Sequence, residues 1–129
     1  MIGYDIHHEK GERFRVLHTT DRTQIATMTL PPGQTDASED GHPHSDQIAC
    51  VIEGRAELTV GDDRRELRAG EVAVIPQGTG YRLRTVGRRP CTVLCVYGPP
   101  AYPAEEGASK AESPFSQPFQ QFRKDPGTE

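Results

Sequence analysis

The chain has 129 residues, with 15 Lys and Arg against 19 Asp and Glu, and a formal charge of −4. This length suits one domain with a core of ordinary small-domain size, and a mildly acidic balance lacks the basic footprint of a nucleic-acid binder. No apolar run approaches the ~18 residues of a membrane-spanning helix, and the stretch MIGYDIHHEKGERF carries charges where a secretory leader needs an apolar centre, so a cytoplasmic protein without membrane contact is expected.

Thirteen Gly, eleven Pro, no Trp and an apolar fraction of 33% describe many turns joining short elements. That composition favours an all-β domain over a helix bundle. Three Cys make no disulfide framework. On an extended strand Cys91 and Cys95 would stand ~13 Å apart, too far to share a bond or an ion, and all three cysteines read as small core residues.

Residues 1–12 read as an N-terminal arm, 13–98 as the domain and 99–129 as a Pro-rich tail. Residues 13–30 hold one or two strands, in which Gln24, Ala26, Met28 and Leu30 alternate with Thr23, Ile25, Thr27 and Thr29. Pro31-Pro32-Gly33 ends that run. A polar stretch reaches Gly41, and HPHSDQ leads into a strand apolar on both faces from Ile48 to Ile52, which predicts cover on both sides. Gly54 breaks the chain before RAELTV, a half-exposed strand closed by a hairpin signal at Gly61-Asp62-Asp63.

RRELRA follows, then a turn at Gly70-Glu71 and a buried strand, Val72 to Ile75, stopped by Pro76. In YRLRTV, Tyr81, Leu83 and Thr85 share one face and Arg82 and Arg84 the other, the arginines outward. CTVLCVY is a last strand, apolar on both faces. Roughly eight strands without a helical period between them predict a β-sandwich or barrel. In the tail, Phe115, Phe119 and Phe122 could form a helix face or dock as an extended segment; Pro118 weakens the helix.

One pair of residues carries metal chemistry. On extended chain, His42 and His44 at i, i+2 project to one face, ~6.6 Å apart at Cα, which lets both rings reach one ion at ~2.1 Å. Glu39 and Asp40 beside them are a solvated loop or an alternative ligand or base. Gln24 and Met28 line a cavity if their face points inward.

HPHSDQIACVIEG, followed by Gly70 through Pro76 to Gly78, resembles the two motifs of the cupin superfamily: His-x-His, three or four residues, Glu, six residues, Gly; then Gly, five residues, Pro-x-Gly, two residues, His. The resemblance covers about residues 13–98, and YGPPAYP from Tyr97 looks like the end of small one-domain cupins labelled sugar-phosphate-isomerase-like. It implies a cupin double-stranded β-helix, or jelly-roll barrel, with an irregular C-terminal tail.

The departures from the family pattern are chemical. Gln47 stands at the acidic ligand position, Tyr81 at the last histidine, and Asp36 where the family has a glycine. The gap from His44 to Gln47 is short, so a straight strand puts Asp46 on the histidine face, whereas a bulge at Ser45-Asp46 puts Gln47 there. The resemblance implies a divalent metal ion (Fe, Mn, Ni or Zn) on His42, His44, Gln47 and Tyr81, with Tyr81 also a catalytic proton donor. It points to a metal-dependent enzyme on a small polar or sugar-like molecule, of dioxygenase, isomerase, epimerase or lyase type. The other reading is a binding or sensing cupin that has lost its metal. A homodimer is expected, because one barrel has only one inside for strands apolar on both faces.

Overall fold

The computed structural model describes residues 1–104; Phe115, Phe119 and Phe122, and with them most of the expected tail, lie outside the described residues. Nine strands follow a one-turn helix α1 (Ile6–Glu9): β1 (Arg15–Thr19), β2 (Gln24–Leu30), β3 (Thr35–Ser38), β4 (Asp46–Glu53), β5 (Arg55–Val60), β6 (Asp63–Arg68), β7 (Val72–Ile75), β8 (Tyr81–Val86) and β9 (Cys91–Gly98). They form a five-stranded sheet, β1-β2-β9-β4-β7, and a four-stranded sheet, β3-β8-β5-β6. All pairings are antiparallel, for example β2 on β9 from Gln24↔Tyr97 to Leu30↔Cys91. Two such sheets closed over one core make an all-β, double-stranded β-helix barrel.

The core follows the period-two alternation of the strands. Ala26, Met28 and Leu30 of β2, Ala49 and Val51 of β4, Leu58 of β5, Leu83 of β8 and Val93 of β9 are buried together. Arg82 and Arg84 point to water while Tyr81, Leu83 and Thr85 point in, as the alternation predicts. Gly54, at φ +84°, marks where the chain leaves one sheet for the other. A Cβ there would collide with the carbonyl oxygen of Pro90, so the crossing needs a glycine on two counts.

The strand count exceeds the expectation because β3 lies in the polar stretch before Gly41. TDAS has little strand propensity, but its residues pair with β8 from Thr35↔Arg84 to Ser38↔Tyr81, and tertiary pairing overrides local preference. A second correction concerns β7, expected to be buried. It is the edge strand of its sheet, and its outward residues Val72 and Val74 are 55% and 60% exposed, beside Ile48 of β4 at 40%. The expected cover on both faces of β4 exists only on the inner face among the described residues. Continuous apolar sequence shows that two faces are apolar, not that both are covered.

The N-terminal arm covers the other part of the same outer surface. The Asp5 side chain caps α1 by accepting from the His7 N–H, and the Tyr4 hydroxyl donates to the Leu17 carbonyl at 2.9 Å. Ile2, Tyr4 and Ile6 share a hollow of about 390 Å³ with Ile25 and Leu94 of the outer sheet face.

Candidate functional site

Two turns meet at one end of the barrel and aim His42 inward. The Gly78 N–H donates to the His42 carbonyl at 2.8 Å. Gln77 donates its backbone N–H to the Asp46 carboxylate and its side-chain Nε2 to the Pro43 carbonyl, both at 2.9 Å. Gly41, at φ +67°, lies against the backbone of Thr79, where a Cβ has no room. The segment before β4 is thus held by the turn before β8 through backbone and amide groups.

Inside this end, His42 Nε2 and the Oε1 of buried Gln47 are 3.1 Å apart. The His42 ring is surrounded by three tyrosines, with centroid separations of 5.1 Å to Tyr97, 5.7 Å to Tyr102 and 5.8 Å to Tyr81. Tyr81, itself buried, donates its hydroxyl to the Asp36 carboxylate at 3.3 Å. Burial holds the Tyr81 phenol well above the ordinary tyrosine range, and the Asp36 charge pushes it further the same way. Burial raises Tyr97 likewise and pushes the Cys95 thiol up to about 12. These groups therefore stay protonated, and the tyrosine hydroxyls act as donors rather than as anions.

The residues expected at the site separate into two groups. His42, Gln47 and Tyr81 come together. His44 does not join them: the chain turns at Pro43-His44 instead of running extended, and the His44 side chain is exposed. Asp46 is exposed and engaged with Gln77, so Gln47 is the inward residue. No bulge at Ser45-Asp46 is needed, since the turn changes the facing; the one irregularity of β4 against β9 lies between Val51 and Glu53.

Met28 lies in the core and Gln24 is buried, so both take the inward option. Glu39 and Asp40 are exposed loop residues. Three participants were not foreseen: Asp36, Tyr97 and Tyr102. Their signals were an acid in place of a glycine and the aromatic spacing of YGPPAYP.

The cupin domain profile matches residues 26–97. The chain belongs to the cupin family. Among solved structures it is similar to BH2720 from Bacillus halodurans, with 28% identity, a TM-score of 0.74 and coverage of 79% of this chain and 83% of that one. It is also similar to the uncharacterized protein SCO3923 of Streptomyces coelicolor, 30% identical over 77 residues that make up 59% of this chain and 70% of that protein. The polyketide synthase CurC of Streptomyces cyaneus is 31% identical over 85 residues, 66% of this chain and 54% of that protein. The matching segments span only 27% and 47% of the length of the first two curated relatives.

The His42–Gln47 contact also sets how this cupin carries the first family motif. Four residues separate His42 from Gln47 and six separate Gln47 from Gly54, which is the family spacing from second histidine to acid to glycine. His42 then takes the second-histidine position and Asp40 the first. His44 falls in the intervening turn.

The donors present do not make the face of two histidines and one carboxylate that a resident divalent ion prefers. His42 and Gln47 converge, but the Gln47 amide brings no charge to offset that of an ion and is already in contact with the imidazole. Tyr81 is a neutral phenol turned to Asp36, and no group of three or more His, Cys, Asp or Glu gathers among the described residues.

Proposed function

We propose that this cupin binds a small polar organic molecule at the His42 end of its barrel, and does so without a resident metal ion. The observation that carries this reading is the contact of His42 with Gln47 inside a ring of tyrosines. An amide, an imidazole, a phenol and a carboxylate supply donors and acceptors for ligand polar groups. The tyrosine faces supply apolar wall, the usual division of labour in a small-molecule site.

The charge of the site narrows the ligand. Asp36 brings a carboxylate, whereas no Lys or Arg is buried among the described residues, and Arg82 and Arg84 face water. An anionic ligand would meet the like charge of Asp36 in low dielectric. The reading is therefore a neutral or cationic ligand such as a polyol, amide or amine, rather than a sugar phosphate.

The test is a thermal-shift series of uncharged sugars, amides and amines against phosphorylated sugars, on protein purified without a His tag or added metal. A saturable stabilisation by a neutral or cationic compound, lost in Tyr81→Phe, supports the proposal. Stabilisation by phosphorylated compounds alone overturns the charge argument. About one equivalent of Fe, Mn, Ni or Zn per chain favours the second reading, a metal-dependent enzyme. That reading is supported by the family spacing of His42 and Gln47.

A further inference from the structure

The chain after β9 returns over the same end of the barrel. Pro99 to Tyr102 form a short strap, with Ala101 and Tyr102 partly buried against the core. One side chain makes several of its hydrogen bonds. Gln24, 1% exposed on β2, donates Nε2 to the Tyr102 carbonyl and to Thr19 Oγ1, each at 2.9 Å. Its Oε1 accepts from the N–H groups of Ala101, at 3.1 Å, and Tyr102, at 3.0 Å. Both amide donors and both lone pairs are used, and three of the four bonds go to the strap. A primary amide is costly to bury unless satisfied in this way, so Gln24 at this position makes sense as a latch.

The strap delivers one ring. Tyr102 packs between Phe14 (4.7 Å), Tyr97 (5.3 Å) and His42 (5.7 Å). Tyr81 and Tyr97 project from β8 and β9 and are buried, whereas Tyr102 hangs from the strap and is half-buried. Of the three tyrosines around His42 it is the least buried.

We infer that Tyr102 forms the outer wall of the ligand site and controls entry to it, and that Gln24 is its positioning residue. Release of the three latch bonds and of the Tyr102 ring contacts breaks no strand pairing, so the opening costs far less than unfolding. The inference rests on the reading that the His42 end of the barrel is the binding site, but its test needs no ligand.

The test follows carbethoxylation of individual histidines by diethyl pyrocarbonate, quantified by peptide mass spectrometry, with exposed His44 as internal reference. In the full chain, Tyr102→Ala removes the ring, and Gln24→Met keeps the latch volume while deleting its hydrogen bonds. Both are expected to raise the His42-to-His44 rate ratio by about tenfold, and Tyr102→Phe to leave it at the wild-type value. If Gln24→Met does not fold, Tyr102→Ala still decides, because its side chain is half-buried and off the strands.

A ratio within about twofold of wild type in folded Tyr102→Ala overturns the inference. Global loosening would raise His18 and His42 together and also overturn it. Absence of any small-molecule thermal shift would defeat the binding reading while leaving this ratio unchanged, so the two failures are distinguishable.

Discussion

His42 Nε2 and Gln47 Oε1, 3.1 Å apart, occupy the places where the cupin pattern has its second histidine and its acid. Exchange of a carboxylate for an amide keeps the shape and removes the charge. Gln47→Glu should therefore restore a metal-competent pair, together with Asp40 at the first position. The expected outcome is a clear gain in Ni or Mn retained after gel filtration, relative to wild type, measured by elemental analysis. No gain would show that the loop before His42 cannot supply the remaining ligands.

Tyr81, Tyr97, Cys91 and Cys95 share one electrostatic condition. Burial raises all four, Cys91 to about 11 and Cys95 to about 12 from 9.0, and the tyrosines well above 10.0. Each folded-state value lies above its unfolded value, so each contributes stability that is intact below pH 9 and is lost as pH rises through the folded value. Denaturant unfolding as a function of pH should show a plateau to about pH 9 and a steep decline beyond it. Tyr81→Phe should make the decline shallower. An unchanged slope would mean that Tyr81 reaches water in solution.

Thr27 offers a simpler ledger. Its hydroxyl on β2 is buried and makes no hydrogen bond among the described residues, and an unpaired buried hydroxyl costs about 1–3 kcal/mol. Thr27→Val keeps the branched shape and removes the polar atom, so chemical denaturation should show a gain of about 1 kcal/mol. A loss of stability would reveal an ordered water on that oxygen.

On the outer face of the five-stranded sheet, Ile48, Val72 and Val74 leave an apolar patch at its β7 edge, next to the half-buried Cys50. A second copy paired across a two-fold axis is the commonest way to cover such a face. Light scattering at micromolar concentration should return about twice 14.2 kDa, and Val74→Glu should return the single-chain mass in a folded protein. A single-chain mass for the wild type would defeat the dimer.

The amino-acid sequence alone determined the barrel and its inward rows. Alternation is a local property, so Tyr81, Leu83 and Thr85 were legible as inner residues and Arg82 and Arg84 as outer ones. The family spacing from Gln47 to Gly54 and from Gly70 to Gly78 was equally local. The tertiary structure alone decided which histidine enters the site. That choice depends on a turn at Pro43-His44 held by Gln77 and Gly78, more than thirty residues away, and strand parity carries no information about it. Asp36 and Tyr102 were hidden for the same reason. Asp36 belongs to a strand that exists only through pairing with β8, and Tyr102 reaches His42 only because Gln24, 78 residues earlier, spends its whole hydrogen-bonding capacity on β1 and the strap.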